Sequence, residues 1–366
     1  LSQYKSLLKK IVFYLNKHTF VFSILVTSLF IILSVGLGWY NNRLVLPTTN
    51  PIARYTAEPS NPLSFMSNWD GPDYLRIAKQ GYSDVSEASF FPLYPLLIGV
   101  INLVISSPLY GALAISWASL IGATYYYLCI VKQLFKIDQN LVALKSVLFF
   151  LFFPTSIFLA ATYTESLFAF LALAAIYFAL NRRNLIAGLF VLLATATHLD
   201  GVFILLLVAM ILLEEKVQIQ KIIVGMLLGS IGLLCYMLYL AKRFDSPLSF
   251  ILSQKGHGWL NHHYTELFTS VDFFNLVFIF LLIITIYYWW NKRRSFSYYS
   301  LLFLLIPIMG NQFGGFNRYV LVAFPLQFMA YDYLKDKYMI YSLALGGMGI
   351  IWAYFTLQYA GGYIGG

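Results

Sequence analysis

Charge is what this chain has least of. Only 11% of its 366 residues are charged, against about 25% in soluble domains, and no polar run is long enough to build a separate soluble domain. That excludes an ordinary soluble globule. Cysteine is nearly absent as well. Cys129 and Cys235 are the only two; both lie inside hydrophobic runs, read as small core residues, and carry no redox signal. Internal repeats of the kind that mark many transporters are not apparent. The net charge of +9 does not indicate nucleic acid, because the basic residues sit at the ends of hydrophobic runs, where they set topology.

What the chain has instead is apolar and aromatic length: 60% hydrophobic, 18% aromatic. Mean hydropathy is +0.74. We therefore expect an all-α polytopic membrane protein, a single membrane domain over 1–366. The first span covers roughly 20 to 40, the ~20 apolar residues a bilayer needs. Lys5, Lys9, Lys10 and Lys17 precede it, and without a small-residue cleavage pattern it suits a retained span better than a signal peptide. Placing those lysines inside puts the loop over 41–91 outside. Later basic clusters at Lys132/Lys136/Lys145, Arg182/Arg183, Lys292/Arg293/Arg294 and Lys335/Lys337 are then cytoplasmic. The turns with YTES (163–166), HLDG (198–201), the second external loop 242–268 and NQFGGFNRY (311–319) all face the other side. Every polar motif lands on one face of the membrane.

Two details complete the expected topology. The piece 92–105 is short and begins with prolines, so it reads as a re-entrant or short helix, with 109–131 as the true crossing. The stretch 184–214 is long for one helix and carries His198, Asp200 and Gly201 at its middle. It divides into two short spans, tolerable where the break lines a cavity. The count is about eleven spans.

The polar stretch 65–95 concentrates the chemistry. In NWDGPDYLRIAKQG, Asp70 stands before Gly71 and Pro72, and Gly81 follows the last periodic residue, so a short helix is expected over about 71–80. Its apolar face (Tyr74, Leu75, Ala78) alternates with Asp73, Arg76 and Lys79, as in an interfacial helix. Asp70 is either the cap of that helix or a catalytic carboxylate. Trp69 and Tyr74 are either anchors to membrane lipids or part of a site. Elsewhere on the outer side, Glu165 opens a span and either caps it or serves the site. His198 and Asp200, ionisable between apolar runs, read as functional. Gln254, Lys255, His257, His262 and His263 fall in one polar segment, SQKGHGWLNHH. Its cations suit an anionic headgroup; zinc is the alternative, though the spacing matches no standard ligand pattern. Arg318, in GGFNRY, anchors to lipid phosphate or bonds a substrate phosphate.

Taken together, WDGPDYLRIAKQGY followed by SFFPLYPLL resembles the signature of the PIG-V-like mannosyltransferases, multispanning glycosyltransferases of the GT-C class. FFPTSIFLAATYTESLFAFL, PLSFILSQKGHGW and FNRYVLVAFP are similar to later segments of that family, in the family's order. One departure stands out: His198 occupies a place where the family usually shows an arginine followed by x-x-Gly. The resemblance implies a GT-C-type fold and an enzyme that moves a sugar, mannose first among candidates, from a polyprenyl-phosphate donor to an acceptor hydroxyl on a lipid or glycan, with inversion. It implies Asp70 as catalytic base. Trp69, Asp73, Tyr74, Glu165, His198, Asp200, Gln254, Lys255, His257 and Arg318 are the expected substrate contacts, with no metal or other cofactor required. The site would face the non-cytoplasmic side, of the plasma membrane in a prokaryote or the ER in a eukaryote. A transporter or flippase of a lipid-linked sugar, using the same cavity without a base, is the alternative.

Overall fold

The structure is a computed structural model describing residues 10, 13–44, 61–256, 273–310 and 315–363. Among them the chain is helical, with no strand. The first long helix, α1, spans Thr19–Leu44. Its Ser and Thr residues turn inward instead of breaking it: Ser34 Oγ donates to Phe30 O at 2.9 Å, and Thr27 bonds Thr124 at 2.9 Å. Phe22, Thr27, Phe30 and Ile31 are buried, while Leu25, Leu29, Ile32 and Leu33 are exposed. An apolar outward face of that size is what lipid, not water, would cover.

After the first loop come α2 (Gly71–Gln80) and α3 (Leu93–Ile101). The helix over 71–80 forms with Pro72 in its first turn and closes at Gly81, whose amide donates to Ile77 O at 2.8 Å. Tyr74, Leu75 and Ile77 face the protein. On the other side Arg76 pairs with Asp73 and Glu87. At ~1.5 Å per residue, α3 is too short to cross a bilayer, and the crossing follows in α4 (Pro108–Phe135). Then come α5 (Asn140–Leu151), α6 (Glu165–Leu180), α7 (Asn184–Thr195), α8 (Gly201–Glu214) and α9 (Ile219–Phe244). The stretch 184–214 is thus divided into two helices meeting at the His198 turn. The longer helices that remain are α10 (Ser249–Gly256), α11 (Phe273–Trp290), α12 (Arg294–Gly310), α13 (Phe324–Leu334) and α14 (Tyr338–Ala360). Five helices are long and apolar enough to cross a membrane by length and composition: α1, α4, α9, α11 and α14. Four more, α5 to α8, are shorter and apolar. This is a multi-pass helical membrane protein.

Small residues let α7 and α9 approach closely. A Cβ on Gly188 would lie 2.4 Å from Gly225 O, backbone against backbone, the way membrane helices pack without a hydrophobic drive between them. The outer face of α9 is left bare, with Ile223, Leu227, Leu234 and Leu238 exposed. Cys235 is exposed on the same helix, which corrects its reading as a core residue; only Cys129 is partly covered.

The helix ends sort by chemistry. At one end Lys132 Nζ donates to Asn140 Oδ1 at 3.0 Å, beside Thr19. There Lys145 donates to Lys335 O at 3.1 Å, Arg293 pairs with Glu215 at 2.8 Å, and Arg182 reaches the same carboxylate at 3.5 Å. The basic clusters therefore converge. At the opposite end Asn41 donates to Leu357 O at 2.7 Å, tying the last turns of α1 and α14 together. The motifs 66–70, 163–165, 198–200 and 316–319 assemble beside them.

Candidate active site

Asp70 sits where a cap would sit but does not cap. It precedes α2 with φ −68° and ψ −20°, and its side chain makes no capping bond. Instead its Oδ2 accepts from Arg318 Nη1 at 2.9 Å. The same guanidinium brings Nε to 3.0 Å from Glu165 Oε1, an ion-pair contact whose angle falls short of a hydrogen bond. All three side chains are largely covered: Arg318 is 14% exposed, Asp70 21%, Glu165 9%. One arginine thus lies between two carboxylates in a low-dielectric place, where such contacts are strong. Burial works against the guanidinium's charge, yet Glu165 and Asp70 together raise its pKa well above the ordinary value.

Three rings surround that charge. Phe158, Tyr163 and Tyr319 have centroids 5.7, 5.5 and 5.6 Å from the guanidinium carbon, within cation–π range. Arg318 is delivered by a single turn, Phe316–Tyr319, that begins after Gly315 in a left-handed conformation. Glu165 is delivered by the first residue of α6; Thr164, before it, makes no side-chain capping bond.

The segment carrying Asp70 is held by two tyrosines that the sequence reading did not single out. Tyr163 Oη accepts from the Asp70 amide at 3.1 Å and donates to Asn68 O at 3.2 Å. Tyr359, at the end of α14, accepts from the Asn68 amide at 3.1 Å through its hydroxyl. Asn68 Nδ2 in turn donates to Tyr359 O at 2.8 Å. Between these clamps Trp69 takes φ +59°, a left-handed conformation that is costly for a bulky residue and persists only where its surroundings enforce it. Tyr163 stands inside the YTES motif, so a signal existed. Tyr359 is one aromatic among many in an apolar helix.

His198 lies in the turn between α7 and α8, with its ring 5.5 Å from Phe168 and 6.1 Å from Tyr319, Arg318's neighbour. Its Nδ1 is 3.3 Å from both the Asp200 amide and Asp200 Oδ2. One nitrogen cannot accept from the first and donate to the second at once. The neutral ring takes the amide's hydrogen bond and the protonated ring gives one to the carboxylate. Burial lowers the imidazolium's pKa, but Asp200 and then Glu165 outweigh it, and the net shift is upward from 6.5. The turn is anchored to the Phe-Phe-Pro segment by Leu93, whose amide donates to Ala196 O at 3.0 Å.

The other expected contacts divide. Tyr74 reaches Thr164 Oγ1 at 3.5 Å, on the site's inner wall. Asp73 does not join the cluster; it faces outward and pairs with Arg76 at 2.5 Å, because a residue three positions after Asp70 is turned away by the start of α2. Gln254 is half-buried on α10, which packs on the 85–89 turn through Ser253, acceptor from the Ser89 amide at 3.2 Å. Lys255 sits in the last turn of α10. His257, His262 and His263 lie outside the described residues. Among the described residues, no three His, Cys, Asp or Glu side chains gather as a metal site would require.

Several buried polar atoms in these segments have no hydrogen-bond partner: Ser67 Oγ, Trp69 Nε1, Glu165 Oε2, Ser166 Oγ and Asn317 Oδ1. Native proteins leave few such groups, and here they gather around one constellation. A cavity of about 410 Å³ lies elsewhere, at the basic end among Gln133, Tyr288, Lys292 and Arg293. Its cations are already engaged by Asp332, Glu214 and Glu215.

A helical multi-pass membrane protein with a guanidinium held between two carboxylates at one end of its bundle is the class so defined. The family profile described as Mannosyltransferase (PIG-V) matches residues 19–220, more than half of the chain. The chain belongs to that family. It is 30% identical over 148 residues to the GPI alpha-1,6-mannosyltransferase 2 of Mus musculus, a match covering 38% of this chain and 30% of that protein. The GPI alpha-1,6-mannosyltransferase 2 of Cricetulus griseus is 28% identical over 148 residues, with the same shares. The GPI mannosyltransferase 2 of Drosophila pseudoobscura pseudoobscura is 28% identical over 116 residues, 30% of this chain and 26% of that protein. The match therefore spans less than a third of these curated relatives.

Proposed function

We propose that this protein is a membrane mannosyltransferase of the GT-C type, transferring a sugar from a polyprenyl-phosphate donor to an acceptor hydroxyl with inversion. The order of the helices is compatible with α1, α4 to α9 and α11 to α14 alternating between the two ends, which would make about eleven passes with the site on the non-cytoplasmic side. The donor's polyprenyl tail would stay in lipid while its sugar reached the Asp70 cluster at the bundle's end. In the reaction the acceptor oxygen bonds to the anomeric carbon as the bond from that carbon to the phosphate oxygen breaks. The hydroxyl proton passes to Asp70, and the phosphate leaves with the electron pair. Arg318, with His198 when protonated, stabilises the departing phosphate. A β-linked phosphate displaced once gives an α-linked product, in keeping with the alpha-1,6 linkage in the names of the rodent relatives.

The observation that carries this reading is that Asp70's carboxylate is withheld from its helix and pointed at Arg318. Asp70→Asn tests it. Asn keeps the size of Asp70 and an oxygen that can accept from Arg318, and Glu165 remains to balance the guanidinium, so the variant should still fold, as its melting curve checks. Turnover with saturating donor and acceptor should fall by roughly 10² to 10⁴, the usual worth of a general base. A variant that turns over within a few-fold of the parent removes Asp70 from the chemistry. The assay with purified protein in detergent also separates a transferase from a flippase, since transport needs two compartments and turnover does not.

A further inference from the structure

The free site carries two carboxylates and one guanidinium at ion-pair distance, a formal charge of −1 before any donor arrives. A polyprenyl-phosphate sugar is a phosphodiester and adds another negative charge. In so buried a place like charges repel strongly, so the phosphate cannot simply be added to Arg318 while both carboxylates remain on it. One must leave. Glu165 is the deeper of the two, fixed in the first turn of α6 and 9% exposed. Asp70 is 21% exposed, stands outside α2, makes no cap, and follows the left-handed Trp69. A change of its side-chain rotamer releases the carboxylate while its backbone stays bonded to Tyr163 and to the first turn of α2.

We propose that the donor phosphate takes Asp70's place on Arg318, and that this exchange frees Asp70 to accept the acceptor's proton. Arg318 is then a latch as well as a grip: it holds the base while the site is empty and surrenders it to the donor. The guanidinium's forked donors match a phosphate oxygen pair as well as they match a carboxylate. Glu165 stays on Nε throughout and keeps the guanidinium oriented. The consequence is an order of events, donor first and acceptor activation second. This rests on the reading of the site as one that takes a polyprenyl-phosphate sugar.

The test measures binding rather than turnover. Polyprenyl phosphate, which carries the phosphate and no sugar, is titrated against the full-length protein in detergent, with Trp69 next to Asp70 as a fluorescence reporter or thermal shift as a second readout. Removing a competing carboxylate should tighten binding, so Asp70→Asn is expected to raise affinity on the order of tenfold, the scale of one hydrogen bond to a charged group. In an Arg318→Gln background the same substitution should change affinity by less than about threefold. Glu165→Gln should give a smaller gain than Asp70→Asn. The exchange is overturned if Asp70→Asn leaves affinity unchanged or weaker. It is equally overturned if the gain survives without Arg318, or if Glu165→Gln gives the larger gain. Phosphatidylglycerol titrated in the same way should show no Asp70-dependent gain; an equal gain would mean that the site takes any lipid phosphate. Should the Asp70 variants fail to fold, inhibition of the parent decides: polyprenyl phosphate competitive with donor but not with acceptor supports the order, and competition with both sinks it. Absence of turnover with every donor, alongside an Arg318-dependent affinity gain, would fail the transferase reading and leave the exchange standing.

Discussion

His198 holds a charge that depends on its surroundings, whereas the arginine usual at that place in the family does not. Three charged groups act on it: Asp200 and Glu165 favour the imidazolium, and Arg318 opposes it. Burial also opposes it, yet the net shift is upward from 6.5. A histidine whose folded pKa lies above its unfolded value contributes stability that is fully present below pH 6.5 and is lost as pH rises through the folded value. The melting temperature of the parent should therefore fall as pH is raised from 6.5 upward through that value. His198→Gln should start lower and flatten this dependence. His198→Arg should flatten it while keeping the high value, because the guanidinium stays charged beside Asp200. Melting curves from pH 6 to 9 check this, and an unchanged slope in His198→Gln would place the titration elsewhere. On the proposed mechanism, the charge lost from His198 at high pH would leave the departing phosphate to Arg318. Turnover of the parent should decline over the same range while His198→Arg holds its rate.

At the level of elements, the turn between α7 and α8 depends on one glycine. A Cβ on Gly201 would stand 2.6 Å from both the Cα and the amide nitrogen of Thr195. Those are backbone atoms at the end of the preceding helix, so neither can swing aside. Gly201→Ala must open the turn that places His198 and Asp200 and that receives the Leu93 amide at Ala196 O. A loss of about 1–3 kcal/mol is expected, the range for forcing atoms into a packed position, with the pH dependence of melting weakened as well. Gly36→Ala is the control, since nothing lies within 4 Å of its added carbon and alanine suits a helix better than glycine. Equal melting of the two variants in detergent would refute the argument. This turn was legible before the structure, because an Asp-Gly pair and a histidine interrupt an apolar run too long for one short helix. The helix over 71–80 and the short α3 before the α4 crossing were legible for the same local reason: proline and glycine punctuate them. What the sequence could not show is which element receives each side chain. Asp70 read as a cap or a catalytic carboxylate, and the cap stayed open because it is read from four or five neighbours, whereas its partner Arg318 is 248 positions away. Asp73 looked like a companion of Asp70 but turns outward on α2 to Arg76. Tyr359 gave no signal at all, since nothing in an apolar helix distinguishes a clamp from packing.

On the scale of the whole molecule, the chain gathers a basic cluster at one end and the Asp70 cluster at the other. Lysines and arginines in α4 and α5 and just after α6, α11 and α13 meet at one end, where Arg182, Lys292 and Arg293 contact Glu214, Glu215 and Asp332. Asp70, Glu165, His198 and Arg318 meet at the other. Helices joined by short turns must alternate in direction, so this separation follows only if each basic cluster falls after a helix running the same way. The excess of Lys and Arg in cytoplasmic loops supports the proposal that the basic end is cytoplasmic and the Asp70 end is not. Single cysteines introduced at exposed positions on the two ends make the test, after Cys129 and Cys235 are replaced by serine. Gln139→Cys stands just before α5 at the basic end, and Val85→Cys stands in the turn after α2 at the other; both parent side chains are exposed. A membrane-impermeant maleimide applied to intact cells should label Val85→Cys and leave Gln139→Cys unlabelled until the membrane is opened. Labelling of both from the same side would break the alternation on which the separation depends. The reverse pattern would keep the alternation and put the Asp70 cluster in the cytoplasm, where it would meet a donor whose sugar faces inward.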